Sequence, residues 1–464
     1  MFAGYQQLSA DPCEHMRLEA GLVLIAAVVL MAAVASASND YTGLLGQPYC
    51  KQRGCCDGRE DVCAQPILGT LCYCDEFCNR TRSEDCCPDY WSHCRGIEPD
   101  PEFNVEPCRL KGQIILPGKT AQDNCNTCKC VQMGPNQFEL LCEDNTCIVD
   151  PVLIENVNAE QEKTGWFASN YSEFWGRKLS DGLTLRLGTL QPHKSVMRME
   201  PIRRIYDPNS LPKNFEAETK WGNQISKVQD QGWCGSSWAI STAAVASDRF
   251  AIMSNGEEQV TLSAQHLLSC NNRGQQSCNG GYLDRAWLFL RKFGIVDEAC
   301  YPYHGKDEKC RIPKRASLLN AHCGPQPAGS KRKEMYRVAP AYRLGNETDI
   351  MYEIQQNGPV QATMKVYQDF FVYRNGIYRH SLLSSLHRTA YHSVRIIGWG
   401  EDRTSFPPKK FWKVANSWGQ NWGENGYFRI MRGSNECDIE SYVLAAWAQP
   451  AMDDNEVSPL RRRG

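Results

Sequence analysis

The chain has 464 residues, which is long enough for two to four domains, and its 51 lysines and arginines nearly balance 53 aspartates and glutamates. This balance excludes a protein that binds nucleic acid through an overall positive field. The 24 cysteines are clustered and regularly spaced, which indicates disulfide frameworks and an oxidising compartment.

The N-terminus has the parts of a secretory signal peptide. Arg17 precedes the apolar stretch AGLVLIAAVVLMAAVA at residues 20–35, and a small-residue A-x-A pattern ends at Ala37. We therefore predict a signal peptide over residues 1–37. The apolar stretch is shorter than the roughly 20 residues of a membrane span. A retained signal anchor is the alternative.

Three N-x-[ST] sequons, at Asn79, Asn170 and Asn346, predict glycosylation on the secretory route. We expect a protein secreted to the extracellular space or matrix, with no stable insertion in a membrane. The arginine-rich end, residues 452–464, is predicted to be a solvated tail, with a heparin-binding patch as the alternative.

The first cysteine cluster, residues 48–97, holds ten cysteines between Cys50 and Cys94. At this density a hydrophobic core is too small to hold a fold without cross-links. The segment resembles the somatomedin B module, and the residues that carry the pattern are Cys72, Cys74, Cys78, Cys86, Cys87 and Cys94. That family uses eight cysteines, so the surplus pair suggests one added bridge. A zinc cluster is the alternative.

A second cysteine-rich segment spans residues 105–150. Its cysteines are Cys108, Cys125, Cys128, Cys130, Cys142 and Cys147. The spacing is similar to the first half of a von Willebrand factor C-type module, and an unclassified three-disulfide module is the alternative. Neither segment arranges titratable residues for chemistry, and small stapled domains of this kind present rigid loops to partners.

Residues 151–210 contain no cysteine, and we interpret them as a propeptide-like segment. The stretch TGWFASNYSEFWGRKLSDGLTLRLGTL at 164–190 resembles the propeptide of cathepsin B, in which a Leu-Gly-Thr segment lies near the active-site cleft. Trp166, Phe174 and Trp175 are expected to anchor such a segment, or alternatively to form a local core of their own.

The motif QDQGWCGSSWAIST at 229–242 lies in the last large domain, residues 211–451. It resembles the nucleophile loop of papain-like cysteine peptidases, with a serine, Ser237, in place of the catalytic cysteine. Gln231 matches the oxyanion-hole glutamine of that family. Small and apolar residues at helical spacing predict a buried helix that begins at Ser237, where the helix dipole would favour an anion.

The partners of this nucleophile position lie far downstream. His392, in YHSVRIIGWG, is 155 residues after Ser237, close to the spacing of papain-like enzymes. Asn416, in NSWGQNWGENGYF, matches the residue that orients the histidine, and Trp418 and Trp422 match the aromatic residues that shield it.

The match extends from about residue 164 to 450 and is closest to cathepsin B. It implies an α+β fold with two lobes, one helical and one resembling a β-barrel, and a cleft between them. Gly280 and Gly281, in CNGG, would offer their backbone to an extended peptide, and Trp418 would also line this substrate cleft.

The resemblance also implies a set of disulfides in this domain. It pairs Cys234 with Cys278 and leaves two bridges to be formed among four further cysteines, Cys270, Cys300, Cys310 and Cys323. Cys437 is then unpaired, at a position that is free in cathepsin B, and a buried inert thiol is expected there rather than a substitute nucleophile.

Two departures from the family pattern bear on activity. A serine hydroxyl ionises far less readily than a thiol, so Ser237 cannot form the stable ion pair with His392 on which papain-like catalysis depends. The second departure is in the region of the cathepsin B occluding loop, whose adjacent histidine pair is reduced here to His322. Carboxydipeptidase activity is therefore not expected.

The complete arrangement resembles the tubulointerstitial nephritis antigen family. That resemblance implies a secreted non-catalytic glycoprotein of the extracellular matrix or basement membrane, without a metal or other cofactor. Its expected partners are extracellular matrix proteins, cell-surface receptors or secreted signalling proteins, and not nucleic acid. Two alternatives are an active endopeptidase that uses Ser237 and a decoy for peptidase substrates and inhibitors.

Overall fold

The computed structural model describes residues 48–67, 70–78, 85–97, 108–134, 137–312, 323, 335–404 and 407–449. The predicted signal peptide and C-terminal tail, together with Asn79 and His322, lie outside these residues. The chain divides into two compact units, Met1–Glu106 with Gly134–Gln137, and Pro107–Met133 with Phe138–Gly464.

The helices and strands follow one another along both units. The helices are α1 Tyr49–Arg53, α2 Tyr90–Cys94, α3 Pro151–Ala159, α4 Gln161–Thr164, α5 Leu179–Leu185, α6 Lys194–Met197, α7 Ala217–Trp221, α8 Ser237–Met253, α9 Ala264–Cys270, α10 Leu283–Lys292 and α11 Glu347–Asn357. The strands are β1 Ala64–Ile67, β2 Thr70–Tyr73, β3 Cys108–Leu110, β4 Gln113–Ile115, β5 Thr120–Asp123, β6 Asn126–Gly134, β7 Gln137–Cys142, β8 Trp166–Ala168, β9 Phe215–Glu216, β10 Tyr342–Leu344, β11 Val360–Val366, β12 Tyr373–Tyr378, β13 Ala390–Asp402, β14 Lys409–Ala415, β15 Tyr427–Met431 and β16 Val443–Ala445. Short 3-10 turns lie at Pro208–Ser210, Gly222–Gln224, Gln368–Val372, Ser384–Leu386 and Glu436–Asp438.

The first unit is built around its disulfides. The bridges are Cys50–Cys74, Cys55–Cys94, Cys56–Cys63, Cys72–Cys87 and Cys78–Cys86. The buried core consists of cysteines and one aromatic side chain, Tyr90. Because all ten cysteines are consumed by these bridges, they form a disulfide framework rather than a zinc cluster.

A smaller disulfide-linked module, made of β3 to β7, lies at the start of the second unit, except for Gly134–Gln137, which belong to the first. Its bridges are Cys108–Cys130, Cys125–Cys147 and Cys128–Cys142. The module is attached to the chain that follows it through Asn124, whose side-chain amide donates to the Val149 carbonyl at 2.7 Å and accepts from the Gly176 amide at 3.0 Å. These hydrogen bonds attach the disulfide-linked module to the beginning of the propeptide-like segment.

One lobe of the large domain is helical. Helix α8 carries small and apolar side chains on nearly every face, and almost all of its residues are buried. It packs against α9 and α10, which contribute Leu267, Leu283, Trp287 and Leu290 to the same core. A helix that is apolar all round is expected at the centre of a domain, and α8 has that place here.

The other lobe contains a nine-stranded sheet. Its strand order is β10-β16-β11-β13-β14-β15-β12-β8, and β9 pairs with β13. The core of this lobe is rich in aromatic residues, including Trp166, Trp399, Trp412 and Phe370. The predicted two-lobed α+β fold is confirmed, and the sequence-based expectation of a strand after His392 holds with a start two residues earlier, at Ala390.

Strand β8 shows how the propeptide-like segment enters this sheet. It lies on the edge of the sheet, antiparallel to β12, with Trp166 opposite Gly376. The indole N–H of Trp166 donates to the Arg379 carbonyl at 2.9 Å. No helix in the described part of the chain has the length and apolar character needed to cross a membrane.

Candidate active-site cleft

Ser237 is fully buried at the first turn of α8. The loop that leads to it is fixed by the Cys234–Cys278 bridge, which the family resemblance implies. It is also fixed by Gly235, where an added Cβ would lie 2.4 Å from the Cys278 carbonyl oxygen. Only glycine fits at this close approach, so the sequence CGSS sets where the helix begins.

Gln231 lies beside Ser237, as the motif predicts. Its side-chain carbonyl accepts a hydrogen bond from the Ser417 hydroxyl at 2.6 Å, which fixes the orientation of the amide. Its side-chain NH2 donates to the Leu187 carbonyl at 3.0 Å and to the Cys234 carbonyl at 2.8 Å. The amide that would stabilise an oxyanion is therefore already satisfied within the chain.

The Leu187 carbonyl oxygen receives a second hydrogen bond at the same place. The backbone amide of Ser237 donates to it at 3.2 Å, so this oxygen accepts from both groups that form the oxyanion hole in the family that the motif resembles. A carbonyl of the propeptide-like segment thus lies where the oxyanion of a substrate would form.

Residues 187–190, which we call the cleft strand, pair with both walls of the cleft. On one side, the Gly281 amide donates to the Gly188 carbonyl at 2.9 Å, and the Leu190 amide donates to the Gly281 carbonyl at 2.9 Å. On the other side, the Thr189 amide donates to the Tyr391 carbonyl at 3.2 Å. The predicted interaction of an extended peptide with the backbone of CNGG is made by this chain itself.

Two glycines permit this close packing. Gly188 has a φ of +108°, and a Cβ built there would lie 2.0 Å from the carbonyl carbon of Gly235. Gly280 has a φ of +119°, and its Cβ would lie 3.1 Å from the side chain of Leu190. The cleft strand can therefore lie this deep only because neither position carries a side chain.

The aromatic residues upstream anchor the cleft strand, with one exception. Phe174 is fully buried and contacts Trp418, Trp233 and Phe371 edge to face. Trp175, which we expected among the anchors, is 46% exposed. Neighbouring residues on a turn point in different directions, so the sequence alone could not separate Phe174 from Trp175.

Arg186 was not anticipated from the sequence. It is fully buried, and its guanidinium pairs with Glu173 at 2.8 Å and with Asp230 at 3.0 Å. It also lies over the rings of Phe174 and Trp418. Because Asp230 adjoins Gln231, this arginine connects the propeptide-like segment to the loop that carries the oxyanion glutamine.

His392 and Asn416 form the predicted pair. His392 Nε2 lies 2.7 Å from Asn416 Oδ1, and the Ser417 amide donates to the same oxygen at 2.8 Å. Burial, together with the positive charge of Arg186, lowers the pKa of His392 to about 4. The imidazole is therefore neutral at physiological pH.

The Ser237 hydroxyl does not bond to His392. Its Oγ lies 3.0 Å from the hydroxyl oxygen of Thr189 and accepts from the Ser393 amide at 3.3 Å. The Nδ1 atom of His392 has no hydrogen-bond partner among the described residues. The nucleophile and base of a catalytic site are expected to share a hydrogen bond, and here that contact is replaced by one to the cleft strand.

Trp418 and Trp422 are both buried, and each donates its indole N–H to a backbone carbonyl. Trp418 donates to Arg186 at 2.6 Å and Trp422 to Phe371 at 3.0 Å. The ring of Trp418 lies 5.4 Å from that of His392. It therefore shields the histidine and supports the chain leading into the cleft strand, instead of facing an open substrate cleft.

The remaining predicted sites lie outside the cleft. The other bridges of the domain are Cys270–Cys310 and Cys300–Cys323, and Cys437 is free and buried, as the resemblance implies. The sequon residues Asn170 and Asn346 are exposed. Asn346 caps helix α11 through its side-chain oxygen, which accepts from the Asp349 amide at 2.8 Å.

Thr189, Ser393 and Ser417 complete the site, and sequence reasoning did not name them. Thr189 lies in the Leu-Gly-Thr stretch and Ser417 directly follows Asn416, so their motifs pointed to the right neighbourhood. Ser393 acts through its backbone amide, which no residue pattern identifies.

Comparison with known proteins finds a matching family model and several similar chains. A family model described as papain family cysteine protease matches residues 211–447. The protein named tubulointerstitial nephritis antigen-like from Homo sapiens is 46% identical over 432 residues, which are 88% of this chain and 90% of that protein. Human tubulointerstitial nephritis antigen is 43% identical over 428 residues, 88% of each chain.

A solved structure shares the fold of the C-terminal part. It is proCathepsin B S9 from Trypanosoma congolense, with a TM-score of 0.54 and 31% identity, over 65% of this chain and 99% of that one. By its name, that protein is a proenzyme.

Proposed function

Because the chain belongs to the papain family of cysteine peptidases and, within it, to the tubulointerstitial nephritis antigen family, we propose that it is a secreted, non-catalytic glycoprotein that binds partners in the extracellular matrix. Its peptidase domain serves as a rigid binding scaffold. The disulfide-linked modules before it present loops to matrix proteins, to cell-surface receptors or to secreted signalling proteins.

One observation carries the non-catalytic part of this proposal. The Ser237 hydroxyl bonds to Thr189 and to the Ser393 amide, while His392 Nδ1 has no hydrogen-bond partner among the described residues. A serine needs a general base to remove its proton, because it cannot lose the proton in advance as a thiol can. Without that contact the hydroxyl stays a weak nucleophile.

The occupied oxyanion hole supports the same conclusion. The amide of Ser237 and the side chain of Gln231 both donate to the Leu187 carbonyl. A substrate carbonyl could reach these donors only after the cleft strand had left. The cleft strand also covers the backbone of Gly281, so a decoy that captures substrates would first have to release it.

The secreted, glycosylated character rests on the cysteines and the sequons. Eleven disulfides pair every cysteine of the described residues except Cys437. Bridges at this density form and persist in oxidising compartments. Both sequons within the described residues have exposed asparagines, as glycan attachment requires.

The experiment compares the secreted wild-type protein with Ser237→Ala and Ser237→Cys variants. Each is incubated with a peptide library and, separately, with thiol- and hydroxyl-directed active-site probes. We expect no turnover by the wild type and no labelling at Ser237. Hydrolysis by the wild type that the Ser237→Ala change abolishes would show an active peptidase and overturn the proposal.

The binding part is tested on an immobilised basement-membrane preparation. We expect the wild type and the Ser237→Ala variant to bind equally, because the nucleophile position plays no part in the interaction. Absence of saturable binding by the wild type, compared with a secreted protein of similar size and charge, would contradict the matrix-binding role.

A further inference from the structure

A cluster of metal-ligating side chains lies outside the cleft, beyond the end of strand β12. It consists of His380, Glu436 and Cys437, whose ligand atoms all lie within 4.8 Å of one another. The Nδ1 atom of His380 is 2.6 Å from Glu436 Oε1, and the Sγ atom of Cys437 is 3.4 Å from the same oxygen. Three chemically different donors therefore converge on one point.

The cluster is mostly shielded from solvent. Glu436 is 8% exposed and Cys437 is 6% exposed, whereas the His380 side chain is 30% exposed. Cys437 is also the one cysteine of the described residues that is not in a disulfide. Solvent therefore reaches the cluster from the His380 side.

Each donor is held in place by its surroundings. The His380 ring stacks on Tyr367 with ring centroids 4.3 Å apart, and the His380 backbone amide donates to Glu436 Oε1 at 3.0 Å. Cys437 has a left-handed φ of 53°, which is uncommon for a residue with a side chain. Side chains fixed in this way are preorganised to bind a ligand.

Two neighbouring carboxylates, Asp369 and Asp438, already have partners of their own. Asp369 accepts from the Tyr378 hydroxyl at 2.6 Å and from the Ser381 amide at 2.6 Å. Asp438 pairs with Lys365 at 2.8 Å. A deprotonated Cys437 would add a second negative charge beside Glu436, and a bound divalent cation would balance it.

The donor set identifies the class of cation. Imidazole, carboxylate and thiolate together suit Zn²⁺, whereas Ca²⁺ and Mg²⁺ take oxygen ligands. Tetrahedral zinc holds its ligand atoms roughly 3.3–3.6 Å apart. The Sγ to Oε1 distance of 3.4 Å already lies in this range, and the shorter Nδ1 to Oε1 contact would have to open by less than about 1 Å.

We propose that His380, Glu436 and Cys437 bind one Zn²⁺ ion, with water as the fourth ligand. When the ion binds, the Cys437 thiol releases its proton to solvent. The proton that His380 and Glu436 share is released as well, and no redox change takes place. The ion links the chain after β12 to the turn that precedes β16. It lies outside the cleft and takes no part in peptide hydrolysis.

The test uses the full secreted protein, stripped of metal with a chelator. Zinc binding is measured by competition with a chromophoric chelator for the wild type, Cys437→Ser, Glu436→Gln and the control Asp438→Asn. We expect one high-affinity equivalent in the wild type and in the control. The affinity should fall at least about 100-fold in the two ligand variants. Equal zinc binding by the wild type and Cys437→Ser overturns the proposal.

A second measurement decides the matter even if a variant fails to fold. Cobalt(II) added to the stripped wild-type protein should give a thiolate-to-cobalt charge-transfer band. The free thiol of Cys437 is the one available within the described residues. A cobalt complex that lacks this band shows that the thiol is not a ligand, and the proposal is then wrong.

Discussion

The carbonyl oxygen of Leu187 lies 3.2 Å from the backbone amide nitrogen of Ser237. It also accepts from the Gln231 side chain at 3.0 Å. Both donors of the oxyanion hole are thereby used by a residue of the same chain. The cleft is closed by residues of the same chain, so single substitutions in the cleft strand should open it.

Gly188→Ala should release the cleft strand. The new Cβ would lie 2.0 Å from the backbone of Gly235, and the residue would have to keep a φ of +108°. We expect the amides of Ser237 and Leu190 to exchange with solvent at least about tenfold faster, measured by hydrogen exchange with mass spectrometry.

Gly222→Ala is the matched control for that change. Gly222 also has a positive φ, +57°, but an added Cβ would meet nothing within 4 Å. Gly222→Ala therefore introduces backbone strain without a steric clash, and hydrogen exchange of the amides in the cleft should stay unchanged. Similar acceleration in both variants would mean that general destabilisation, and not displacement of the cleft strand, is the cause.

A cysteine at position 237 and a displaced cleft strand should together increase the reactivity of the site toward a thiol-directed probe. A thiol at position 237 can lose its proton more readily than the serine hydroxyl, but the oxyanion donors would still be covered by Leu187. We expect slow labelling of Ser237→Cys by a thiol-directed probe and labelling at least about tenfold faster when Gly188→Ala is added. Gly188→Ala with Ser237→Ala should not be labelled, and equal rates for the single and double cysteine variants would argue against an obstructed cleft.

Acid should destabilise the large domain through buried histidines. Burial lowers the pKa of His266 to about 3 and that of His392 to about 4, below the ordinary value of about 6.5 in the unfolded chain. The unfolded state therefore binds more protons, and stability is complete above pH of about 6.5 and is lost as the pH falls toward these lowered values.

Each of these histidines should lower the free energy of unfolding by about 2 kcal/mol between pH 7 and pH 5. The measurement is urea unfolding at the two pH values. In His266→Asn, an amide oxygen can still accept from the Val296 amide, which donates to His266 Nδ1 at 3.1 Å in the wild type. A variant with the same pH dependence as the wild type would contradict this assignment.

Arg186→Ala should destabilise the large domain by roughly 3 kcal/mol. The change removes a fully buried cation from Glu173 and Asp230, and it removes packing against Phe174. The matched control is Arg177→Ala, since Arg177 is exposed and its guanidinium lies 4.7 Å from the centre of the Trp233 ring. Arg177→Ala should lower the free energy of unfolding by less than about 1 kcal/mol. Equal unfolding midpoints for the two variants would show that the ion pairs and packing of Arg186 add nothing to stability.

Much of the site could be predicted from local motifs. Gln231 and Ser237 lie in one loop, and Asn416 and Trp418 lie in another, so short spacings fix how each pair is placed. The structure brings these loops together with His392 as the family resemblance implies. Sequence was informative there because each role belongs to a recognisable side chain in a recognisable neighbourhood.

The remaining features depend on atoms or distances that a sequence does not display. Leu187 acts through a backbone carbonyl, which every residue possesses. His380 and Glu436 are 56 residues apart, and no spacing rule connects them. Trp175 follows Phe174 directly, yet only Phe174 is buried, because tertiary packing decides which of two adjacent rings enters the core.

The cleft strand and the domain that it closes belong to one chain. This covalent link sets the effective concentration of the cleft strand, against which any outside peptide must compete. A segment tethered by a short connection acts on its own site as if it were present at about millimolar concentration. A soluble peptide of equal intrinsic affinity would reach half occupancy only at a comparable level. Ligands of this protein should therefore bind to its outer faces in preference to the groove.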